Sequence, residues 1–293
     1  MKHSRFTTVL SLGISLIAHA QFAPAQALAN ISKTMTVDSV GACQGISHQR
    51  GKYFLYGERE VGVMREYKLG PDNTLIDQHK EYSFIIDGKN IIKHPTGIAY
   101  HQGLPTFVGN SVRQNAEGTI WKAMLYSIDW KGFLKTGTLD RNLKNTIEDD
   151  ACIQGSRPEY VKYKGKWYVA TSDYGNKNNE VRLYDPEVLK NASKTSEKGV
   201  LFKKFKCSPW VQTLHWDDRK GILILVQNQV EGRKWKLSYL DLHQSLESGK
   251  EVVLKTILPD PKDELEGFTL TDNPSKGIAV SSSRENNVSF LNF

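Results

Sequence analysis

Eight residues suited to acid–base chemistry or ligand binding lie just before, or at the start of, short apolar runs along the chain. Glu159 and Glu266 are candidates for proton transfer, because a pocket that buries carboxyl groups can shift their pKa values into the useful range. The other six offer hydrogen bonds, charge or an aromatic face: Gln44, His94, Arg157, Trp210, Gln212 and Glu264. Together these residue types predict a site for a small polar ligand such as a carbohydrate.

An alternative interpretation is that these side chains hydrogen-bond only to one another and to water. Burying an unpaired polar group costs on the order of 1–3 kcal/mol, so the fold gains little unless the groups pair or bind a ligand. We therefore expect Arg157, Glu159, Gln212 and Glu266 to point into one pocket, with Trp210 at its wall. Arg157 is the expected anchor for an acidic group or a cluster of hydroxyls, because its planar guanidinium makes bidentate contacts.

The elements that position these residues recur along the chain. A polar or basic residue followed by glycine opens an apolar run at Gly51, Gly103, Gly165, Gly221 and Gly277. Because glycine favours the positive φ of a tight hairpin turn, we predict a hairpin at each position. Another apolar stretch precedes each glycine, and one or two more follow it, which predicts about four strands per repeat. Helical periodicity is nearly absent, with at most one turn near Pro186.

The last repeat lacks a fourth strand, and residues 31–37 supply a spare one at the other end of the chain. A last repeat that is one strand short, together with a spare strand at the other end, predicts an all-β fold. This fold is a β-propeller of five four-stranded blades, closed by the N-terminal strand joining the last blade. The propeller would form a single domain over residues 30–293. A sixth blade hidden in the long second repeat and an irregular β-sandwich are the alternatives. In a propeller, the loops leading into the innermost strands share one mouth of the central channel, where ligands bind.

Residues 1–29 have the pattern of a signal peptide. Lys2 and Arg5 precede a short apolar run, and small-x-small sites follow at Ala18–Ala20 and Ala27–Ala29. The apolar run is shorter than the ~20 residues that a membrane span needs, and no later stretch is long enough. We therefore expect a secreted or periplasmic protein without a membrane span.

The formal charge is +7, and removal of Lys2 and Arg5 would leave +5. The basic residues are scattered among acidic ones, so nucleic acid is not an expected partner. Such a surface is compatible with acidic glycans. The expected partner is a small molecule or glycan, and the chain is expected to be a monomer.

Cysteine is sparse, with Cys43, Cys152 and Cys207 only. Cys152 lies 13 residues before Gly165 and Cys207 lies 14 before Gly221, so the two occupy near-equivalent places in neighbouring repeats. In an oxidising compartment this predicts a Cys152–Cys207 disulfide and leaves Cys43 as a free thiol. The acidic run of residues 148–150 could hold a calcium ion, although its spacing matches no known calcium loop and a solvated loop is the simpler interpretation.

The segment from Ser156 to Ser172 reads Ser-Arg-Pro-Glu-Tyr-Val-Lys-Tyr-Lys-Gly-Lys-Trp-Tyr-Val-Ala-Thr-Ser. It resembles one blade of the five-bladed glycoside hydrolases of family 43 type. That family places its general acid, a glutamate, just before the proline, where this chain has Ser156-Arg157. It also uses two further carboxylates, but the corresponding residue of the first repeat is Gln44. The resemblance therefore implies the fold and a sugar ligand, while any acting carboxylate must be Glu159, Glu264 or Glu266.

The segment 264–293 instead resembles the last blade of six-bladed lactonase and gluconolactonase propellers. In those proteins a glutamate before glycine binds a metal, which would make Glu266 a ligand of a divalent cation such as calcium. Three functions follow from these patterns. The first is a propeller that binds a carbohydrate or similar small polar ligand at the channel mouth, with its hydrolysis left open. The others are a binding propeller without catalysis and a metal-dependent lactonase-type hydrolase.

Overall fold

The computed structural model describes residues 25–27, 29–177, 179–228, 234–259 and 263–293. Two strands come before the first blade: β1 (Ala25–Ala27) and β2 (Asn30–Met35). Blade 1 consists of β3 (Ala42–Gln49), β4 (Lys52–Glu58), β5 (Gly62–Leu69) and β6 (Leu75–Ser83), followed by the small hairpin β7 (Ile85–Ile86) and β8 (Lys89–Asn90). Blade 2 consists of β9 (Pro95–Ala99), β10 (Thr106–Arg113), β11 (Trp121–Ile128), helix α1 (Trp130–Thr136) and β12 (Leu143–Glu148).

The remaining three blades follow the same order. Blade 3 consists of β13 (Glu159–Tyr163), β14 (Lys166–Thr171), β15 (Glu180–Tyr184), helix α2 (Pro186–Leu189) and β16 (Leu201–Lys206). Blade 4 consists of β17 (Val211–Asp217), β18 (Ile222–Asn228), β19 (Trp235–Asp241), helix α3 (Leu242–Ser248) and β20 (Val253–Ile257). Blade 5 consists of β21 (Leu265–Leu270), β22 (Lys276–Ser281) and β23 (Val288–Asn292), completed by β2.

The chain is thus an all-β, five-bladed propeller, and the predicted ring closure is confirmed. Strand β2 pairs with β23 in antiparallel orientation, with Asn30 opposite Asn292 and Met35 opposite Val288. The five inner strands are β3, β9, β13, β17 and β21, and they contact one another around a common axis. These are the inner strands that the apolar stretches before the glycines predicted.

The hydrophobic core consists of five clusters, each at the boundary between two neighbouring blades. The cluster that closes the ring combines Leu55 and Tyr53 of blade 1 with Val280 and Phe290 of blade 5. Because each blade buries one face against each neighbour, all five interfaces between blades remove apolar surface from water. This arrangement fixes where the inner strands begin.

Four of the predicted turn glycines have positive φ, namely Gly51, Gly103, Gly165 and Gly221. The prediction is wrong for Gly277, which lies inside β22. There a side chain would collide with the ring of Phe268, so close packing rather than a turn requires glycine at this position.

Helices α1, α2 and α3 lie between the third and fourth strands of blades 2, 3 and 4, and only the turn at Pro186 was expected from the sequence. An aspartate caps each helix by accepting a backbone hydrogen bond: Asp129 from Gly132, Asp185 from Glu187 and Asp241 from Gln244. The extra length of the second repeat lies in the loop of residues 149–158 between β12 and β13, and the described residues of this repeat contain no further blade.

The structure does not contain the predicted Cys152–Cys207 disulfide, and all three cysteines are free. The guanidinium Nη1 of Arg182 lies 3.4 Å from the sulfur of Cys152, and the sulfur of Cys207 lies 3.9 Å from the hydroxyl of Ser172. The two thiols therefore have separate partners. The acidic run is likewise engaged within the fold: Asp149 accepts hydrogen bonds from Tyr184 and Thr195.

Strand β1 lies within the predicted signal peptide and pairs in parallel with β20. Residues 1–24 and 28 of that segment lie outside the described residues. In the described part of the chain, no helix has the length and apolar character required to cross a membrane.

Candidate functional site

A cavity of about 390 Å³ opens at the mouth of the central channel, where the loops lead into the inner strands. Six of the eight predicted site residues line it: Gln44, His94, Arg157, Gln212, Glu264 and Glu266. They come from all five blades, so the ring brings together residues that are far apart in the sequence. The prediction of a shared mouth is met for these six, whereas Glu159 and Trp210 lie elsewhere.

Arg157 is held firmly at the floor of this cavity. Its Nη1 donates to the carbonyl oxygens of Gln154 at 3.2 Å and Gly155 at 2.7 Å, and its Nη2 donates to Oε1 of Gln212 at 3.3 Å. The buried Nε has no hydrogen-bond partner among the described residues. Since an unpaired buried donor is costly, Nε is available to a ligand or to water.

The contacts continue from Arg157 across the cavity. Nε2 of Gln212 donates to Oε1 of Glu264 at 3.3 Å, and the guanidinium lies 5.6 Å from the ring centre of Tyr174. The guanidinium of Arg157, the amide of Gln212 and the carboxylate of Glu264 are therefore linked in a row by hydrogen bonds. Burial lowers the pKa of Arg157, but nearby acids including Glu266 oppose the effect.

Glu266 is the chemically distinctive residue of the mouth. It is only 6% exposed, yet none of the residues that the structure describes forms a hydrogen bond with its carboxyl group. Burial raises its pKa well above the ordinary value, the negative charge of Glu264 raises it further, and Arg157 partly offsets both effects. This shift favours the protonated form of the Glu266 carboxyl, the form that can donate a proton to a ligand.

Glu159 is located further along the channel, in a second cavity of about 140 Å³ at the opposite ends of the inner strands. Burial raises its pKa to about 8. His48 and His215 line the same cavity, and burial lowers the pKa of both. Glu159 begins β13 and is separated from Arg157 by Pro158, which packs against Gly97 and Gly109.

Glu266 and Glu159 line different cavities, and Tyr56 lies near both. Its fully buried side chain extends over Gly45, and the charges of both glutamates add to the effect of burial in raising the pKa of its hydroxyl. The two carboxyl groups consequently do not share one pocket. They cannot act together as an acid–base pair on one substrate bond.

Trp210 lies beside the mouth cavity rather than in its wall. It lines an adjoining cavity of about 250 Å³, where its ring meets that of Tyr174 edge-on at 5.2 Å. The backbone of Trp210 has a φ of 65°, an uncommon conformation for a non-glycine residue. A sequence gives no direct sign of such a turn, which explains why the predicted position was slightly wrong.

His94 lies at the boundary of the mouth cavity and a third cavity of about 540 Å³. Its Nδ1 is 2.7 Å from Oε2 of Glu58. Burial raises the pKa of Glu58, but the contacts with His94 and Lys93 outweigh burial and leave that pKa below its ordinary value. His94 is thus engaged with a carboxylate and positions the wall between the two cavities.

Sequence reasoning missed two aromatic residues of the mouth, Trp121 and Tyr174. Both lie in or beside the connections between the second and third strands of their blades. In an antiparallel four-stranded blade, these connections lie at the same end as the loop into the inner strand. Because strand direction alternates within each predicted blade, the repeat pattern itself indicated that residues after the second strand of each repeat lie at the mouth.

The described residues contain no group of three His, Cys, Asp or Glu side chains that could hold a metal ion. The charges that act on Glu266 are those of Glu264, Arg157 and Asp263, and the guanidinium of Arg157 repels a cation. The donor set therefore does not fit the divalent cation that the lactonase resemblance implies.

The sequence matches no family profile and no curated protein sequence. Among solved structures, the chain is similar to the glutaminyl cyclase of Myxococcus xanthus, with 12% identity, a TM-score of 0.55, and coverage of 92% of this chain and 97% of that one. It is also similar to a glucose dehydrogenase, with 10% identity, a TM-score of 0.49 and coverage of 89% and 84%. The hydrazine synthase of Kuenenia stuttgartiensis has 10% identity, a TM-score of 0.44 and coverage of 86% and 59%. The similarity to the glutaminyl cyclase structure supports the propeller fold.

Proposed function

We propose that this protein is an exported propeller that binds a carbohydrate at the channel mouth and hydrolyses it with Glu266 as general acid. The observation that carries the proposal is the Glu266 carboxyl group, buried in the mouth without a hydrogen bond from any described side chain or backbone group. A carboxyl group with a raised pKa at a solvent-connected cavity is the group that glycoside hydrolysis requires on the leaving-group side.

The second carboxylate of the reaction is Glu264, which lines the same cavity. In the proposed step, Glu266 gives its proton to the glycosidic oxygen, and the bond from that oxygen to the sugar carbon breaks. A water molecule adds to the carbon, and Glu264 accepts the proton released by the water. Arg157 and Gln212 hold hydroxyl groups of the sugar through their remaining hydrogen-bonding capacity.

The proposed export is based on the leader-like pattern of residues 1–29. It is tested by the mass of the protein secreted from cells expressing the full chain. A mass that lacks the first 20 or 29 residues supports cleavage at one of the two small-x-small sites. Recovery of the intact chain from the cytoplasm contradicts it.

A binding propeller without catalysis is the second candidate, and one observation favours it. Two of the three nitrogens of Arg157 already bond to protein atoms, and Gln212 links it to Glu264. Such a preformed network is suited to recognition as much as to chemistry. Turnover measurements distinguish the two candidates.

The test is calorimetric binding and product analysis with neutral and acidic mono- and disaccharides, together with a peptide bearing an amino-terminal glutamine. The peptide is included because the structure named above is a glutaminyl cyclase. We expect wild type to bind a saccharide, Glu266→Gln to keep that affinity while losing turnover, and Arg157→Lys to bind at least about tenfold more weakly because it loses the planar fork.

Glu187→Gln is the matched control, because Glu187 lies on the outer surface of α2 and is 59% exposed. It should behave as wild type. Saccharide binding without turnover in wild type would favour the binding propeller. Activity on the glutaminyl peptide, without any saccharide binding, would overturn the carbohydrate proposal.

A further inference from the structure

The mouth cavity continues into a larger cavity on one side. The cavity of about 540 Å³ between blades 1 and 2 shares His94, Ser111 and Trp121 with the mouth cavity. Shared lining residues mean that the two spaces adjoin. A ligand confined to the mouth would leave the larger of the two spaces unused.

A second extension lies on the other side, towards blades 3 and 4. The cavity of about 250 Å³ next to Trp210 shares Gln154 and Tyr174 with the mouth cavity. The three cavities therefore form one cleft across the mouth face, with Glu266 in its central part. We call the outer cavities the Trp121 arm and the Trp210 arm.

Each arm presents aromatic surface. On one side Trp121 stands between the mouth and its arm, and the guanidinium of Arg113 lies 5.2 Å from its ring centre. On the other side Tyr174 and Trp210 meet edge-on. Rings of this kind combine a broad apolar face with a polar edge, which suits the mixed surface of a sugar ring.

The charges differ between the centre and the arms. Arg113 and Lys93 line the Trp121 arm, where the single acid Glu58 is engaged with His94. Lys177 lines the Trp210 arm.

The only acid of the Trp210 arm among the described residues is Asp173. It accepts hydrogen bonds from the backbone N–H groups of Ile153 and Gln154 at 2.9 and 2.8 Å. Glu58 also lies 3.6 Å from Nζ of Lys93. The positive charges without an acidic partner among the described residues are therefore Arg113 in the Trp121 arm and Lys177 in the Trp210 arm, whereas the centre carries the two glutamates.

We propose that this cleft binds an acidic oligosaccharide of at least three units, with carboxylate-bearing units in the two arms and the central unit beside Glu266. The inference rests on the proposed function, since it assigns the substrate class of the same site. Elongation explains why aromatic residues flank the mouth on both sides. The arms' positive charge explains why the units they hold should be anionic.

The test uses oligogalacturonides of one to six units, with cellotriose as the neutral control of matched length. Titration calorimetry should show affinity rising from monomer to trimer by at least about tenfold, which corresponds to about 1.4 kcal/mol. Trimer binding should weaken when sodium chloride is raised from 50 to 500 mM, because salt screens the contacts with Arg113 and Lys177. Cellotriose should bind more weakly and without salt dependence.

Two variants test the arms separately. Arg113→Gln and Trp210→Asn should each weaken trimer binding by up to about tenfold and leave monomer binding unchanged, because Arg113 and Trp210 line the arms and not the mouth cavity. Asparagine is chosen at position 210 because it tolerates positive φ. Trp167→Ala, at the opposite end of the channel, is the control and should bind the trimer as wild type does.

Monomer and trimer affinities that are equal would overturn the extended cleft while leaving the proposed function in place. Equal binding of cellotriose and the trigalacturonide, at both salt concentrations, would overturn the acidic substrate class. Absence of binding by every saccharide in both sets would overturn the proposed function together with this inference.

Discussion

Tyr56 packs its phenol ring against Gly45, so that any side chain at position 45 would collide with the ring. The contact joins the second strand of blade 1 to the inner strand of the same blade and reaches the channel axis. Tyr56 lies near both Glu266, which lines the mouth cavity, and Glu159, which lines the deeper cavity. Gly45, Glu159, His215 and the three cysteines each give a testable expectation about stability or reactivity.

Gly45→Ala should destabilise the protein by about 1–3 kcal/mol, because the added methyl group overpacks a filled site. Urea unfolding followed by tryptophan fluorescence measures the change. The double variant Gly45→Ala with Tyr56→Leu should recover part of the loss, since leucine frees space above position 45. A Gly45→Ala variant as stable as wild type would show that the ring moves away at little cost.

Glu159 should make the protein less stable as the pH rises. Its pKa is raised from 4.5 to about 8 by burial, so its stabilising contribution is complete below about pH 4.5 and is lost as the pH rises through about 8. The free energy of unfolding, measured between pH 5 and 8.5, should fall by up to about 1.4 kcal/mol per pH unit from this group. Glu159→Gln should remove that slope, whereas Glu187→Gln should keep it.

The fold was largely predictable from the sequence because a propeller repeats its signals. The turn glycines, the inner strands and the complementary ends of the chain all follow from one period. The helices were missed although their capping residues Asp129, Asp185 and Asp241 are 56 positions apart (185 minus 129 and 241 minus 185). These helices are short, so their hydrophobic periodicity is hidden among longer strand patterns, and the repeated aspartate was the stronger signal.

Position within the repeat also located most of the site. Gln44 and Glu266 share the mouth because each lies at the start of an inner strand, and all such starts lie at one end. Depth along the channel was not predictable, because it depends on how Pro158 packs against Gly97 and Gly109 before β13 begins. That packing places Glu159 below the mouth, and no local sequence pattern reports it.

His215 should destabilise the protein in acid. Burial lowers its pKa to about 4, and its Nε2 accepts a hydrogen bond from the backbone N–H of Leu270 at 3.2 Å, which only the neutral ring can do. A depressed folded-state pKa gives stability that is present above the ordinary value of 6.5 and is lost as the pH falls towards 4. His215→Asn should flatten the acid limb of the stability curve, and His79→Asn, at an exposed position, should not. Identical acid limbs in wild type and His215→Asn would contradict the assignment.

The cysteines should behave as unreactive thiols in the folded protein, with Cys43 and Cys152 buried and Cys207 partly buried. Burial raises the pKa of Cys43 and of Cys207 to about 12, and it raises that of Cys152 well above 9.0 even though Arg182 lies beside the sulfur. The thiolate is the reactive form, so a disulfide-exchange reagent at pH 8 should label the native protein very slowly. Unfolding in guanidinium without reductant should release three reactive thiols per chain, and two in Cys207→Ser. A single reactive thiol in the unfolded wild-type protein would instead demonstrate a bridge between two of the cysteines, and peptide mapping without reductant would identify which two.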